Sequence, residues 1–170
     1  MSVPRLYILC GLPFAGKTTL AKELVKHFGF VHIDIDQINT NFCVGLRGAS
    51  ISQEEWEITY TEAYKQLGDT LDSGQSVLFE GTSFTKVLRD QLRAIADERS
   101  VLSWVIYVDI SESEARQRLF YNRVTRLRYD VRDDNFDLVT TFFEVPTGEE
   151  LVLSYNQSQP LEDWIQHSFC

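Results

Sequence analysis

The chain has 170 residues, of which 44% are hydrophobic, and a formal net charge of -9. This charge argues against broad electrostatic binding of nucleic acid or anionic membranes, and no apolar run approaches the length of a membrane span. The three cysteines, Cys10, Cys43 and Cys170, are too widely spaced to form a Cys-x-x-Cys metal pair. We therefore expect a single domain over residues 1–170 in a reducing, cytoplasmic setting, and the sequence gives no indication of the oligomeric state.

The first predicted element is a strand that leads into a phosphate-binding loop. Residues 6–10 form an apolar run, residues 11–18 read Gly-Leu-Pro-Phe-Ala-Gly-Lys-Thr, and a helical pattern begins at residue 19. The octet matches G-x-x-x-x-G-K-T, in which glycines let the backbone wrap an anion and the following helix presents unpaired N–H groups. Lys17 is expected to reach the β- and γ-phosphates, and the Thr18 hydroxyl is expected to bind Mg²⁺. The residues expected to bind the nucleotide are Gly11, Pro13, Phe14, Ala15, Gly16, Lys17, Thr18 and Thr19.

Strands and helices alternate along the rest of the chain. Four further strands are predicted at residues 30–35, 77–79, 105–108 and 151–155. Further helices are predicted over residues 52–73, 87–98, 111–123 and 161–168, and the first and third of these open on capping boxes. Residues 37–51 and 130–150 are predicted to be irregular. Strands separated by helices of this length predict an α/β fold with a parallel sheet.

Acidic residues follow two of the predicted strands. Asp34 and Asp36 end the second strand, and residues two apart on a strand share a face, so both carboxylates are expected to point toward the phosphates. One of them can orient the metal and the other can accept the proton of an attacking hydroxyl; a solvated acidic turn is the alternative. Glu80 ends the third strand and is either a metal-orienting carboxylate or an ordinary loop acid.

Arginines are concentrated in one short segment of this acidic chain. Residues 116–132 hold six of the eleven arginines. Guanidinium groups match phosphate oxygens in a bidentate fashion, and phosphoryl transfer needs such charges over the γ-phosphate. We expect phosphate contacts from Arg118, Arg123 and Arg126. The alternative is a solvated helix face whose arginines pair with Glu112, Glu114, Asp130 and Asp133.

Some other polar and aromatic residues carry weaker signals. Arg89 faces either a ligand or a surface partner, Asp90 or Asp97, and the sequence does not separate these alternatives. The histidines show no metal-ligand spacing, so structural roles are expected for them. Trp56, Tyr60 and Tyr64 share one helical stripe and are expected in the core rather than as a base-stacking platform.

The order of these features resembles that of the small P-loop kinases in the adenylate-kinase-like group. The resemblance is strongest to the branch called AAA-domain ATP-binding kinases, which lies near polynucleotide kinase, chloramphenicol phosphotransferase, gluconate kinase and zeta toxin. It rests on residues 11–18, 34–36, 77–84, 89–96 and 118–123, and it spans nearly the whole chain. In that group an arginine often follows the second-strand acid, where this chain has Gln37-Ile38-Asn39, and this departure argues against a phosphorylated or nucleic-acid acceptor.

The resemblance implies a fold, a reaction and a set of roles. The implied fold is the three-layer P-loop NTPase fold, with a five-stranded parallel sheet in the order 2-3-1-4-5, helices on both faces and an arginine-rich lid over about residues 116–135. The implied reaction moves the γ-phosphoryl of ATP-Mg²⁺ to a hydroxyl of a small molecule. A nucleotide-binding switch or slow ATPase and a polynucleotide 5′-kinase are the alternatives. The implied roles are catalysis by Lys17, Asp36 (or, as the base, Asp34), Arg123 and Arg126, nucleotide binding by Arg118 with the loop, and metal binding by Thr18, Asp34 and Glu80.

Overall fold

The computed structural model describes residues 3–42, 52–128 and 130–169 of the chain. Most of the first predicted irregular stretch, residues 37–51, therefore lies outside the described residues, as do Cys43 and Cys170. Five parallel strands form one sheet in the order β2-β3-β1-β4-β5, which confirms the predicted sheet and its order. The strands are β1 (Arg5–Cys10), β2 (Val31–Asp34), β3 (Val77–Glu80), β4 (Leu102–Val108) and β5 (Val152–Tyr155).

Seven helices lie in the described parts of the chain. They are α1 (Lys17–Phe28), α2 (Ile35–Phe42), α3 (Gln53–Asp72), α4 (Lys86–Asp97), α5 (Glu112–Thr125), α6 (Asp133–Thr141) and α7 (Leu161–Phe169). Ser52 accepts a hydrogen bond from the Glu55 N–H while the Glu55 carboxylate accepts one from the Ser52 N–H, so the first predicted capping box is confirmed. At the start of α5, Ser111 accepts from the Glu114 N–H.

Helices α2 and α6 correct the prediction that their stretches are irregular. The Asp34 carboxylate accepts a hydrogen bond from the Asp36 N–H at 2.9 Å, which caps α2, and Ile35 and Ile38 then bury one face of a helix rich in poor helix formers. Helix α6 starts with two aspartates, which favour a helix N-terminus, and it is held by a single fully buried side chain, Phe136. A side-chain cap and two buried isoleucines outweigh the polar composition of α2, and acidic residues at the N-terminus with one buried aromatic ring do so in α6.

The sheet separates two apolar cores because alternate strand residues face opposite sides. On one side Leu6, Ile8 and Phe79 pack against α2, α3 and α4; on the other Leu9, Leu78 and Ile106 pack against α1 and α7. The three layers predicted for the fold are therefore present. Trp56, Tyr60 and Tyr64 pack against the first core, and the buried Trp164 and Ile165 of α7 belong to the second.

Within the described residues, every helix is too short or too polar to cross a lipid bilayer.

Candidate active site

The loop between β1 and α1 has the geometry of an anion-binding turn. Gly11 has φ +153°, and a Cβ atom there would lie 2.7 Å from the carbonyl oxygen of Val108. Gly16 has φ +102° and caps α1, which begins at Lys17. Both positions therefore require glycine, for close approach in one case and for a left-handed backbone in the other. The loop leaves the first N–H groups of α1 facing the position that a phosphate would take.

Lys17 lies inside this loop. Its Nζ donates hydrogen bonds to the carbonyl oxygens of Gly11 and Leu12, at 2.9 Å each. Burial lowers the pKa of its ammonium, and the charges of Glu80 and Asp36 act in the opposite direction. Lys17 thus brings a positive charge to the loop, close to two of the three carboxylates identified from the sequence.

The ends of β2 and β3 bring polar groups together beside Thr18. The Thr18 hydroxyl donates to Oε1 of Glu80 at 2.6 Å, and Nε2 of His32 lies 3.0 Å from Oε2 of the same carboxylate. The sheet register pairs Asp34 with Glu80, and His32, Asp34 and Glu80 each place a ligand atom within 4.8 Å of the other two. His32 was not expected here; its position two residues before Asp34 on the same strand is the signal that indicates a shared face.

The oxygen atoms of this cluster fit a magnesium ion. A hydroxyl from Thr18 and carboxylates from Asp34 and Glu80 are the hard oxygen donors that Mg²⁺ takes in phosphate sites. Burial opposes ionisation of Glu80, but hydrogen bonds from His32 and Thr18 leave its pKa below the usual value, so this carboxylate stays charged. Burial and the nearby charge of Glu80 raise the pKa of Asp34.

Asp36 occupies a different position from the one that the strand argument predicted. It lies in the first turn of α2, so it does not share a strand face with Asp34, whose carboxylate caps this same helix. The Asp36 side chain is exposed to solvent, yet partial desolvation and the charges of Asp34 and Glu80 raise its pKa, while Arg128 and Lys17 lower it. The carboxylate therefore stands within electrostatic reach of the phosphate-binding lysine and remains open to a ligand.

Arg118 is the predicted arginine that the structure brings to the phosphate-binding loop. Its Nη1 donates to the carbonyl oxygens of Ala15 at 3.1 Å and Phe14 at 3.4 Å, and its Nη2 pairs with Glu114 at 2.5 Å. Gln157, which follows β5, accepts from Arg118 at 2.7 Å and donates to the same Ala15 oxygen at 2.7 Å. Gln157 was missed because nothing in its sequence surroundings places the end of β5 beside the loop.

The other arginines of the segment divide between ion pairs and the site. Arg123 pairs with Asp130 at 3.0 Å and Asp133 at 2.8 Å, which is the ion-paired alternative that the sequence left open. Arg126 ends α5 in a left-handed conformation and is exposed. It lines an open depression of about 430 Å³ together with Asn122, Arg123, Arg128 and Asp130.

Arg128 also lies beside the phosphate-binding loop, although it was not among the arginines favoured from the sequence. Its guanidinium carbon lies 4.8 Å from the centre of the Phe14 ring, and its charge acts on both Lys17 and Asp36. The buried Asn122 side chain donates to the Arg128 carbonyl at 2.9 Å and accepts from its N–H at 3.0 Å, which fixes the turn that carries it. The reversal of the chain at Arg126, which the sequence does not indicate, turns Arg128 back toward the loop.

Phe14 joins the phosphate-binding loop to α5 and α6. Its side chain is buried against Ala115, Leu119 and Phe136, so it serves as the core of the contact between loop and helices. Phe14 is among the residues predicted to bind the nucleotide; its backbone belongs to the loop, but its ring is used in packing. A movement of α5 or α6 would therefore displace the loop as well.

Both alternatives considered for Arg89 are wrong. Arg89 is 1% exposed, and its Nε and Nη2 form a bidentate pair with Glu150, at 2.9 Å each. Its Nη1 donates to the carbonyl oxygens of Ser83 at 3.0 Å and Glu144 at 3.1 Å. The guanidinium therefore ties α4 to the loop after β3 and to the segment before β5, behind the site rather than in it.

Cys10 ends β1 directly before the loop and is expected to be unreactive. Burial raises the pKa of its thiol to about 11, although Arg89 and Lys17 act to lower it, so almost none of the nucleophilic thiolate is present at neutral pH. Iodoacetamide at about pH 8 should leave Cys10 unmodified in the folded protein and modify it after unfolding, as mass spectrometry of the Cys10 peptide would show. Rapid modification of the folded protein would contradict the burial described here.

Comparison with known proteins places the chain within a family. A family model described as an AAA domain matches residues 6–146. No curated protein is significantly similar in sequence.

Three solved structures share the fold over nearly their whole length. A provisionally described kinase from Chloroflexus aurantiacus is 18% identical with a TM-score of 0.77, and the match covers 98% of this chain and 97% of that one. Kti12 from Chaetomium thermophilum, solved with ADP-AlF3, is 19% identical with a TM-score of 0.72, covering 96% and 95%. An unliganded sugar kinase from a Janibacter species is 17% identical with a TM-score of 0.69, covering 97% and 92%. At these identities the likeness shows the fold.

Proposed function

The chain belongs to the AAA-domain family of P-loop proteins, which confirms the resemblance found in its sequence, and we propose that it is an ATP-dependent kinase for a small molecule. The γ-phosphoryl of ATP-Mg²⁺ is transferred to a hydroxyl group of the acceptor. The observation that carries the proposal is the meeting of Lys17, Thr18, Glu80 and Asp36 at one end of the sheet. A loop that only bound nucleotide would not need the exposed carboxylate of Asp36.

The donor side of the reaction is supported by the loop and the strand ends. The loop N–H groups and Lys17 hold the β- and γ-phosphates, and Arg118 holds the loop through the Ala15 carbonyl. Thr18, Asp34 and Glu80 would hold Mg²⁺, which offsets the charge of the β- and γ-phosphate oxygens when it is bound. The solved structure of a neighbour with ADP-AlF3 supports ATP as the donor.

The acceptor side is supported by Asp36. The acceptor oxygen forms a bond to the γ-phosphorus while the bond from that phosphorus to the β–γ bridging oxygen breaks, which releases ADP. Asp36 takes the proton of the attacking hydroxyl as its oxygen becomes bonded to phosphorus. Arg128 is placed to stabilise the transferred group, and Arg123 and Arg126 join it if the lid over about residues 116–135 closes when both substrates bind.

The whole chain is proposed to act as one kinase domain in the cytoplasm. The alternative is a nucleotide-binding switch or slow ATPase, in which water takes the place of the acceptor. A polynucleotide 5′-kinase is less favoured, because the net charge is -9 and Gln37-Ile38-Asn39 provides no arginine beside Asp36.

Acceptor dependence separates these functions. The rate of ADP release with Mg²⁺ should rise when a suitable sugar, nucleoside or other hydroxyl compound is added, and Lys17→Ala should abolish the stimulated rate because the γ-phosphate loses its cation. Lys22→Ala is the matched control, since Lys22 lies on the same helix and is exposed. A slow rate that no compound stimulates would favour the switch, and stimulation only by a 5′-hydroxyl oligonucleotide would favour the polynucleotide kinase.

A further inference from the structure

We propose that Thr82, held by Tyr60, binds a second hydroxyl group of the acceptor, and that the acceptor is accordingly an uncharged polyhydroxyl compound. The inference rests on the proposed kinase function and deepens it, because it names the class of acceptor and the residues that select it. The geometry that points to it is the contact between these two hydroxyl groups beside Asp36.

The position of the pair follows from the fold. Thr82 lies two residues beyond Glu80, and its hydroxyl accepts a hydrogen bond from the Tyr60 hydroxyl of α3. Helix α2 is fixed to α3 by the buried hydrogen bond from Asn39 to Thr59, at 2.9 Å, one residue before Tyr60. Asp36 lies one turn before Asn39 on α2. The carboxylate and the two hydroxyls are therefore carried by neighbouring elements at one end of the sheet, and the charge of Asp36 acts on Tyr60.

Electrostatics agrees with this arrangement. Burial raises the pKa of Tyr60, hydrogen bonding with Thr82 acts to lower it, and the charge of Asp36 acts to raise it. Tyr60 consequently keeps its proton and remains a hydrogen-bond donor. Tyr60 and Thr82 are both half-buried, so the pair contacts the core and is also partly exposed to solvent at the carboxyl end of the strands.

The hydrogen-bonding capacity that remains on the pair matches a hydroxyl group. One of its two O–H groups is used between Tyr60 and Thr82, which leaves one O–H donor and spare oxygen lone pairs. A hydroxyl both donates and accepts, so it satisfies both kinds of group at once. A carboxylate or phosphate can only accept, and an ammonium can only donate.

The charges around the pair disfavour an anionic acceptor. Asp36 lies beside the pair, and like charges brought within a few ångströms repel, while Asp34 and Glu80 are the carboxylates that would hold Mg²⁺. In the described residues 31–42 and 52–82 the one lysine or arginine is Lys65, which pairs with Asp69 on the exposed side of α3. The cations that act on Asp36, namely Lys17 and Arg128, belong to the phosphate side of the site.

The experiment compares neutral compounds with their anionic counterparts and then removes the hydroxyls. ADP release with ATP-Mg²⁺ is measured for glucose and gluconate, ribose and ribose phosphate, adenosine and its monophosphate, and glycerol and glycerate. At least one neutral compound should stimulate the rate, and its anionic counterpart should stimulate it much less. Tyr60→Phe and Thr82→Val should each raise KM for that compound about tenfold, the loss of one uncharged hydrogen bond, with little change in kcat or in KM for ATP.

Tyr64→Phe is the matched control. Tyr64 lies one turn further along α3, and its hydroxyl bonds to Gln91 at 3.4 Å, away from the strand ends. It should leave KM for the acceptor unchanged, and thermal unfolding should show that all three variants remain folded. With the wild-type protein, KM for an acceptor analogue that lacks the second hydroxyl should be about tenfold higher than KM for the acceptor itself. With Thr82→Val, KM should be the same for the acceptor and for the analogue, because both changes remove the same hydrogen bond.

The outcomes separate this inference from the function on which it rests. Efficient phosphorylation of an anionic or amine-bearing compound in place of the neutral one would overturn the inference and keep the kinase. An unchanged KM in both Tyr60→Phe and Thr82→Val would do the same. No stimulation by any compound, with ATP still bound, would contradict the kinase and the inference together.

Discussion

Replacing Asp36 with asparagine should lower the turnover number by about 10²- to 10⁴-fold, which is the range that a general base contributes. The affinity for ATP should change little, because Asp36 lies outside the phosphate-binding loop, on the first turn of α2. The amide keeps the size of the side chain but cannot take the proton of the acceptor. Turnover under saturating substrates and a separate titration of ATP binding measure the two quantities.

The pH dependence of kcat/KM tests the same assignment. The base acts in its deprotonated form, and desolvation with the charges of Asp34 and Glu80 holds the pKa of Asp36 above that of an ordinary aspartate. The value of kcat/KM should therefore fall as the pH drops through a pKa higher than the usual aspartate value. This acidic limb of the pH profile should disappear in Asp36→Asn. Asp69→Asn, at an exposed site on α3, is the matched control. Full turnover in Asp36→Asn, with loss in Asp34→Asn, would assign the base to Asp34.

Breaking the buried pair between Arg89 and Glu150 should lower the free energy of unfolding by about 3–5 kcal/mol, because removal of one side chain deprives a buried charge of its bidentate partner. Both side chains are 1% exposed, the pair is bidentate, and Arg93 adds a further bond to Glu150 at 2.6 Å. Arg89→Met and Glu150→Gln should both show the loss in urea unfolding. The double variant Arg89→Met with Glu150→Leu should recover much of it, since neither charge is then left unpaired.

The acid stability of the protein should depend on the same pair. Burial opposes ionisation of Glu150, but the hydrogen bonds and charges of Arg89 and Arg93 outweigh it and hold its pKa below the usual value. The stability that the pair supplies is therefore present above the ordinary glutamate pKa and is lost as the pH falls through the lowered one. Lys65→Met, which breaks an exposed pair, should change the free energy of unfolding far less. Equal losses for the buried and exposed pairs would contradict the role given to Arg89.

The sequence was informative where chemistry restricts the choice of residue. The loop octet needs glycine at Gly11 and Gly16, a lysine and a hydroxyl, so its pattern identified the fold and the phosphate side of the site. The five strands were also visible, because buried parallel strands are continuous apolar runs. The sheet order came from the resemblance, since strand order depends on pairings between distant segments that composition does not reveal.

The remaining features depend on tertiary contacts. Arg89 lies on the buried face of α4 with Leu92 and Ala96, but an arginine can be buried there only because of Glu150, which is 61 residues away. The position of Arg128 follows from the left-handed turn at Arg126 and from two hydrogen bonds of Asn122. Asp36 was wrongly predicted to lie on the second strand. That strand ends at Asp34, whose carboxylate caps α2, so Asp36 is already part of a helix. In each case a hydrogen-bond partner or a helix cap, rather than the local sequence pattern, determines where the side chain lies.

The most direct test of the proposed kinase is the fate of the γ-phosphate. ATP radiolabelled on its γ-phosphate is incubated with the protein, Mg²⁺ and the acceptor that stimulates ADP release, and the products are separated. The label should appear on the acceptor in amounts equal to the ADP formed, and Asp36→Asn should slow its appearance. Label found as inorganic phosphate, at the same rate with and without the acceptor, would show that water is the acceptor and would contradict the kinase.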